Sequence, residues 1–171
     1  TCGSSGTCVA CTSSYYLYNG QCYSKFAVGT SCTRADQCTT SDCRSKCCKS
    51  GTSTACTSCD SSGNCNVCSS SYYLSGGTCY SKKSDGTTCS SAGQCTTNDC
   101  HGRCCKSGTS GACTSCDSTG SCYDCSSAYY IAGSNCFSKK SDGTSCSSSG
   151  HCTNGNCKST CCKPGTSSQC T

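Results

Sequence analysis

The sequence predicts a small, disulfide-rich fold: a tandem array of three 57-residue units with short β-hairpins and loops and little or no helix. Three observations lead there. Thirty of the 171 residues are cysteine, far above the level of about 8–10% that marks a disulfide scaffold. Met and Trp are absent, Val, Ile, Leu and Phe are scarce, and Ser, Thr and Gly dominate. Such a chain cannot bury enough apolar surface to offset ordering costs of about 1–2 kcal/mol per residue. The cysteines also recur with one fixed period.

That period defines the units. Cys2, Cys8, Cys11, Cys22, Cys32, Cys38, Cys43, Cys47, Cys48 and Cys56 recur 57 and 114 residues on, without a miss. The units are residues 1–57, 58–114 and 115–171. The copies also agree between cysteines: Tyr15-Tyr16-Leu17 matches Tyr72-Tyr73-Leu74 and Tyr129-Tyr130-Ile131. Gly29-Thr30 matches Gly86-Thr87 and Gly143-Thr144, and Lys49, Lys106 and Lys163 each follow a Cys-Cys pair. Equal repeat lengths imply equal placement of each unit on the next, which generates a helix or a rod. Neither outer unit looks like a cap, so further flanking repeats are expected.

Each unit divides into a four-cysteine half and a six-cysteine half. In the first, the alternation around Tyr15–Leu17 and Cys22–Tyr23 predicts two strands joined by Asn19-Gly20, replaced in the second copy by Gly76-Gly77. In the second, Asp85-Gly86 and Asp142-Gly143 signal turns, and nothing has helical periodicity. Neighbouring cysteines such as Cys47 and Cys48 rarely bond to each other and should tie one segment to two others. Ten cysteines allow about 945 pairings, so spacing does not fix the connectivity. The pairing expected is Cys2–Cys11 and Cys8–Cys22 in the first half. In the second it is Cys32–Cys47, Cys38–Cys48 and Cys43–Cys56, with equivalents 57 and 114 residues on. Cys56 and Cys59 flank the unit boundary, leaving Thr57-Ser58 as a short linker anchored at both ends, which should be stiff.

The first half, CDSSGNCNVCSSSYYLSGGTC at 59–79, resembles the cysteine-rich repeats of protist variant surface proteins and the furin-like cysteine-rich class. The second, CSSAGQCTTNDCHGRCC at 89–105, is similar to the small cysteine knots of the Dickkopf, colipase and EB-module kind. Surface-antigen arrays vary in spacing, whereas this chain does not. The resemblance therefore implies a polymeric role, as in the cysteine-rich proteins of protist flagellar hairs and cell coats.

Candidate chemistry is sparse. Net charge is +5, spread along the chain, so no nucleic-acid footprint is expected. No apolar run approaches the roughly 20 residues of a membrane span. No signal peptide or initiator Met is present, so the chain is expected to be a processed product or an excerpt. Cys56, Cys59, Cys65 and Cys68 have a spacing that four thiolates could use for zinc, but a disulfide framework generates the same spacing, and neither metal nor cofactor is expected. His101 aligns with Arg44 and Lys158, and His151 with Gln37 and Gln94, so both histidines read as surface variants. With no Glu and no repeated His partner for a serine, no catalytic residue is expected. Asp60 and Asp117 read as turn formers rather than calcium ligands. The tyrosine pairs Tyr15-Tyr16, Tyr72-Tyr73 and Tyr129-Tyr130 form either a local core against disulfides or an exposed stacking face. Ser and Thr make up about a third of the chain, a composition that permits O-linked sugars. Candidate positions are Thr39, Thr40, Thr52, Ser53, Thr54, Thr87, Thr88, Thr96, Thr97, Ser147, Ser148 and Ser149, and there is no N-glycosylation sequon.

Thirty cysteines point to an oxidising, extracellular or cell-surface setting. The expected function is a structural protein of an extracellular filament, flagellar hair or cell coat, self-associating head to tail, with glycans as covering or partner. A surface antigen or adhesin binding a cell or glycan is the alternative. A secreted knottin-like ligand or inhibitor is the third reading.

Overall fold

A computed structural model describes residues 1, 3 and 6–165. They belong to two compact units, Thr1–Ser81 and Lys82–Thr171. The fold is small and disulfide-rich, made of two-stranded antiparallel hairpins. The described residues contain no α-helix; helical structure is limited to one-turn 3-10 segments at Ala35–Gln37, Ala92–Gln94 and Ser149–His151.

In the first unit, β1 (Tyr15–Tyr18) pairs with β2 (Gln21–Ser24), β3 (Cys43–Arg44) with β4 (Lys46–Cys47), β5 (Cys56–Cys59) with β6 (Cys65–Cys68), and β7 (Tyr72–Ser75) with β8 (Thr78–Ser81). In the second, β9 (Cys100–His101) pairs with β10 (Arg103–Cys104), β11 (Cys113–Cys116) with β12 (Cys122–Cys125), β13 (Tyr129–Ala132) with β14 (Asn135–Ser138), and β15 (Cys157–Lys158) with β16 (Thr160–Cys161). The β1–β2 turn places Asn19 and Gly20 at φ 48° and 72°, and the β7–β8 turn places Gly76 and Gly77 at 56° and 77°. Two residues at positive φ give the turn whose twist matches the strands it joins, as the sequence predicts for both.

Cystine replaces the usual apolar interior. Every buried side chain among the described residues is a cysteine except Ala55, and no polar or charged side chain is buried. Thirteen disulfides join described residues. Their Cα atoms lie 5.4 to 6.0 Å apart, the ordinary span for such a bond.

The pairing corrects the expected one. Cys11 bonds Cys22, Cys32 bonds Cys43 and Cys38 bonds Cys47. Cys48 bonds Cys59, Cys56 bonds Cys65 and Cys68 bonds Cys79. The second unit repeats these bonds, including Cys105–Cys116 and Cys113–Cys122. Neither Cys8–Cys22 nor Cys32–Cys47, Cys38–Cys48 or Cys43–Cys56 forms. Cys2 and Cys170 lie outside the described residues, but Cys11 and Cys157, the partners expected for them, are bonded to Cys22 and Cys146. The reason is local geometry. The β3–β4 turn sets Cys43 opposite Cys47, and each reaches back past one cysteine, Cys43 to Cys32 and Cys47 to Cys38, closing two short interleaved loops. Cys56 lies in β5, a strand of the next hairpin, and its sulfur meets Cys65 on β6. The Cys-Cys pair does diverge as expected: Cys47 bonds backward to Cys38 and Cys48 forward to Cys59.

Candidate functional site at the repeat junction

The boundary between sequence units 1–57 and 58–114 falls inside strand β5. What reads as a Thr57-Ser58 linker is therefore paired backbone, with Ser58 opposite Val67. Two disulfides, Cys48–Cys59 and Cys56–Cys65, cross this boundary. The second unit contains the same junction, crossed by Cys105–Cys116 and Cys113–Cys122.

A glycine-bearing loop locks each junction. Asp60 Oδ1 accepts hydrogen bonds from the Ser62 and Asn64 amides at 2.8 and 2.9 Å, folding the loop onto itself. These bonds, that from Asn64 foremost, hold the Asp60 carboxyl below the ordinary carboxylate value. Asp117 is lowered likewise, first by the Thr119 hydroxyl and then by the Ser121 and Thr119 amides. The loop docks on the preceding six-cysteine half. The Lys49 amide donates to the Gly63 carbonyl at 2.9 Å, and Lys49 Nζ donates to Asn64 Oδ1 at 2.8 Å. In the second junction the Lys106 amide donates to the Gly120 carbonyl at 2.8 Å, and Lys106 Nζ meets Ser121 Oγ at 3.1 Å.

The fit leaves no room for a side chain. A Cβ on Gly29 would lie 1.9 Å from the Ser61 carbonyl oxygen, and one on Gly86 would lie 2.0 Å from that of Ser118. Gly143, the third member of this series, has no atom of a described residue within 4 Å of its Cβ position. The recurring Gly-Thr of the sequence is thus a contact surface in two copies, and in the third it meets none of the described residues. The sequence signal was the period itself; the neighbour that imposes glycine is not visible in one copy.

Behind each loop sits a cystine core. Cys48, Ala55, Cys56, Cys59, Cys65 and Cys79 cluster, with Cys68 and Tyr72 packed against them. Cys105, Cys113, Cys116, Cys122 and Cys136 form the counterpart, with Ala112, Cys125 and Tyr129.

The tyrosine pairs resolve into two roles. Successive residues of a strand face opposite ways, so Tyr72 and Tyr129 pack on the cystine cores. Tyr73 points the other way and stacks on Tyr80 across the hairpin at 5.7 Å, as Tyr16 does on Tyr23. Tyr130 lies 5.9 Å from Phe137 and stacks on His151 at 4.2 Å. Each pair lies on the outer side of its own hairpin, with Tyr80 50% and Phe137 49% exposed.

The remaining candidates are scattered. Cys56, Cys59, Cys65 and Cys68 are all consumed in disulfides, and a disulfide sulfur lacks the thiolate charge that zinc ligation uses. His101 Nε2 lies 3.0 Å from Asp99 Oδ1. His151 Nδ1 lies 3.4 Å from Ser147 Oγ, where Gln37 and Gln94 accept the Thr33 and Ser90 amides. Of the candidate glycosylation positions, Thr39, Thr54, Thr87, Thr88, Thr96 and Ser147, Ser148 and Ser149 are exposed. Thr40 and Thr97 turn their hydroxyls onto the Cys48 and Cys105 carbonyls at 2.6 and 2.7 Å. Thr52 Oγ1 is likewise bonded, to the Lys49 carbonyl, and Ser53 Oγ accepts the Ala55 amide.

Comparison with protein-family models, curated proteins and solved structures finds no match. The chain is a disulfide-rich repeat protein, and none of its described helices is long and apolar enough to cross a membrane.

Proposed function

We propose that this chain is a structural repeat protein of an extracellular filament, flagellar hair or cell coat, its units stacked head to tail and carrying O-linked sugars on exposed Ser and Thr. The observation that supports this reading is the junction. It recurs with the same two disulfides, the same lysine-to-glycine hydrogen bond and the same glycine contact. A contact repeated at a constant 57-residue interval is how one rigid placement propagates into a long assembly. Covalent sealing suits a material outside the cell, where disulfides persist. Catalysis plays no part in this reading, because each histidine occurs in one copy only. Electron microscopy of native material tests it: fibres with a rise set by one or a few units are expected, and dispersed single particles would overturn it.

The exposed aromatic pairs favour a second reading, an adhesin that stacks sugar rings on Tyr73/Tyr80 and Tyr130/Phe137. Glycan-array binding lost on Tyr80→Ala and Phe137→Ala together would support it over the filament.

A further inference from the structure

Three cystines meet behind each junction loop and form a continuous path of sulfur. In the first junction, Cys65 Sγ lies 3.4 Å from Cys79 Sγ, and Cys56 Sγ lies 4.0 Å from Cys59 Sγ. The bonds Cys68–Cys79, Cys56–Cys65 and Cys48–Cys59 therefore follow one another end to end. The second junction repeats the path, with Cys122 Sγ 3.5 Å from Cys136 Sγ and Cys113 Sγ 3.8 Å from Cys116 Sγ. Five of the six cysteines in each path are buried, and only Cys68 and Cys125 are half-exposed. Each path thus has one end within reach of solvent. At the other end lie Cys48 and Cys105, which are fully buried, so a dissolved thiol or disulfide has no direct access to them.

We propose that each cystine cluster is a thiol–disulfide exchange relay: a small thiol acting at Cys68 or Cys125 opens the buried bond that seals the junction, and a mixed disulfide there closes it. The thiolate of a small thiol such as glutathione attacks Cys68 Sγ. The Cys68–Cys79 bond breaks, and its electron pair leaves on Cys79 Sγ. That thiolate attacks the neighbouring Cys65 Sγ, and the Cys56–Cys65 bond breaks with the pair leaving on Cys56. Cys56 then attacks Cys59 and releases Cys48. Every step forms one S–S bond and breaks one, so no oxidant is consumed. Run backwards, a glutathione disulfide on Cys68 supplies the bond that closes Cys48–Cys59, and glutathione leaves as the thiol. Burial disfavours a thiolate, so a thiol formed inside the cluster drains to Cys68, where water solvates it. The relay goes beyond the filament reading and needs only the junction geometry.

Cys56→Ala tests the relay in the 171-residue chain, because it leaves Cys65 without its partner. After incubation at mildly alkaline pH and an acid quench, thiol labelling in denaturant and peptide mapping locate the free thiol. Cys65 linked to Cys79 is expected, with label on Cys68 exceeding that on Cys65 about tenfold. Cys113→Ala should move its thiol to Cys125 in the same way. Label on Cys65 with Cys68–Cys79 intact overturns the proposal, as does Cys65 linked to any cysteine other than Cys79. The wild-type chain, treated briefly with limiting reduced glutathione, gives a second readout that needs no variant. A linked Cys65–Cys79 peptide with glutathione on Cys68 is expected. Glutathione on Cys68 with the new thiol confined to Cys79 overturns the relay.

Discussion

The hairpins that carry Tyr15 and Tyr72 are two copies of one sequence element in different surroundings. Both have Tyr-Tyr-Leu on the first strand, a tight two-residue turn, and a cysteine opposite the leucine. Tyr15 is 45% exposed, while Tyr72 packs against buried cystine. Cys79 is buried and Cys22 only half so. The difference lies in what precedes each hairpin. Tyr72 has the Cys48–Ala55–Cys56 segment of the previous repeat over it, whereas among the described residues Tyr15 borders an open concavity of about 280 Å³ lined by Cys8, Cys11 and Cys22. Burial in this protein is therefore a property of the junction, and a four-cysteine half gains its core from its neighbour.

The largest break in this comparison comes from removing a junction bond. Cys56→Ala with Cys65→Ala should destabilise the first unit by about 2–3 kcal/mol in urea denaturation, the loop-closure value for so short a loop. Cys38→Ala with Cys47→Ala opens a loop of the same sequence separation, 9 residues, and should lose about as much on the same chain-entropy argument. Only the junction pair should raise the solvent accessibility of Tyr72 toward that of Tyr15, read by NMR line broadening with a soluble paramagnet.

Glycines give a finer contrast. Gly86 and Gly143 share a left-handed backbone, φ 76° and 82°, so alanine strains both by about 1–2 kcal/mol. Only at Gly86 does the new Cβ meet a carbonyl oxygen, that of Ser118. Gly86→Ala should cost a further 1–3 kcal/mol or so, and thermal melts of the two variants measure the gap.

Acid should loosen the loops that carry aspartate. The folded Asp60 carboxyl titrates below the unfolded value of 3.8. Its stabilisation is therefore complete above that value and fades as pH falls through the lower folded one. Hydrogen exchange at the Ser62 and Asn64 amides, once corrected for the intrinsic pH dependence of exchange, should lose protection in that window. Asp60→Asn should lack the transition. The smallest effect is expected at His151. His151→Gln restores the residue of the other copies and should change stability by less than about 0.5 kcal/mol.

Much of this was legible in the sequence. The period, the Asn19-Gly20 turn and the divergent Cys47-Cys48 pair follow from turn chemistry and disulfide geometry. The pairing was not, because a tandem period has no natural starting point. Cutting at residue 57 splits β5, and once Cys56 and Cys59 are assigned to different units their shared strand disappears from view. The facing pairs Cys56↔Cys68 and Cys59↔Cys65 were visible as two Cys-x-x-Cys runs, a signal that reads equally as a zinc site. The tyrosine pairs allowed both core and surface because a strand delivers one residue to each.

Disulfide mapping of the native chain, digested without reduction under acidic conditions that prevent exchange, tests the central claim most directly. Linked peptides joining Cys48 to Cys59 and Cys56 to Cys65 are predicted. Recovery of Cys43 linked to Cys56, or of Cys48 or Cys56 linked to any cysteine within residues 1–57, would contradict it.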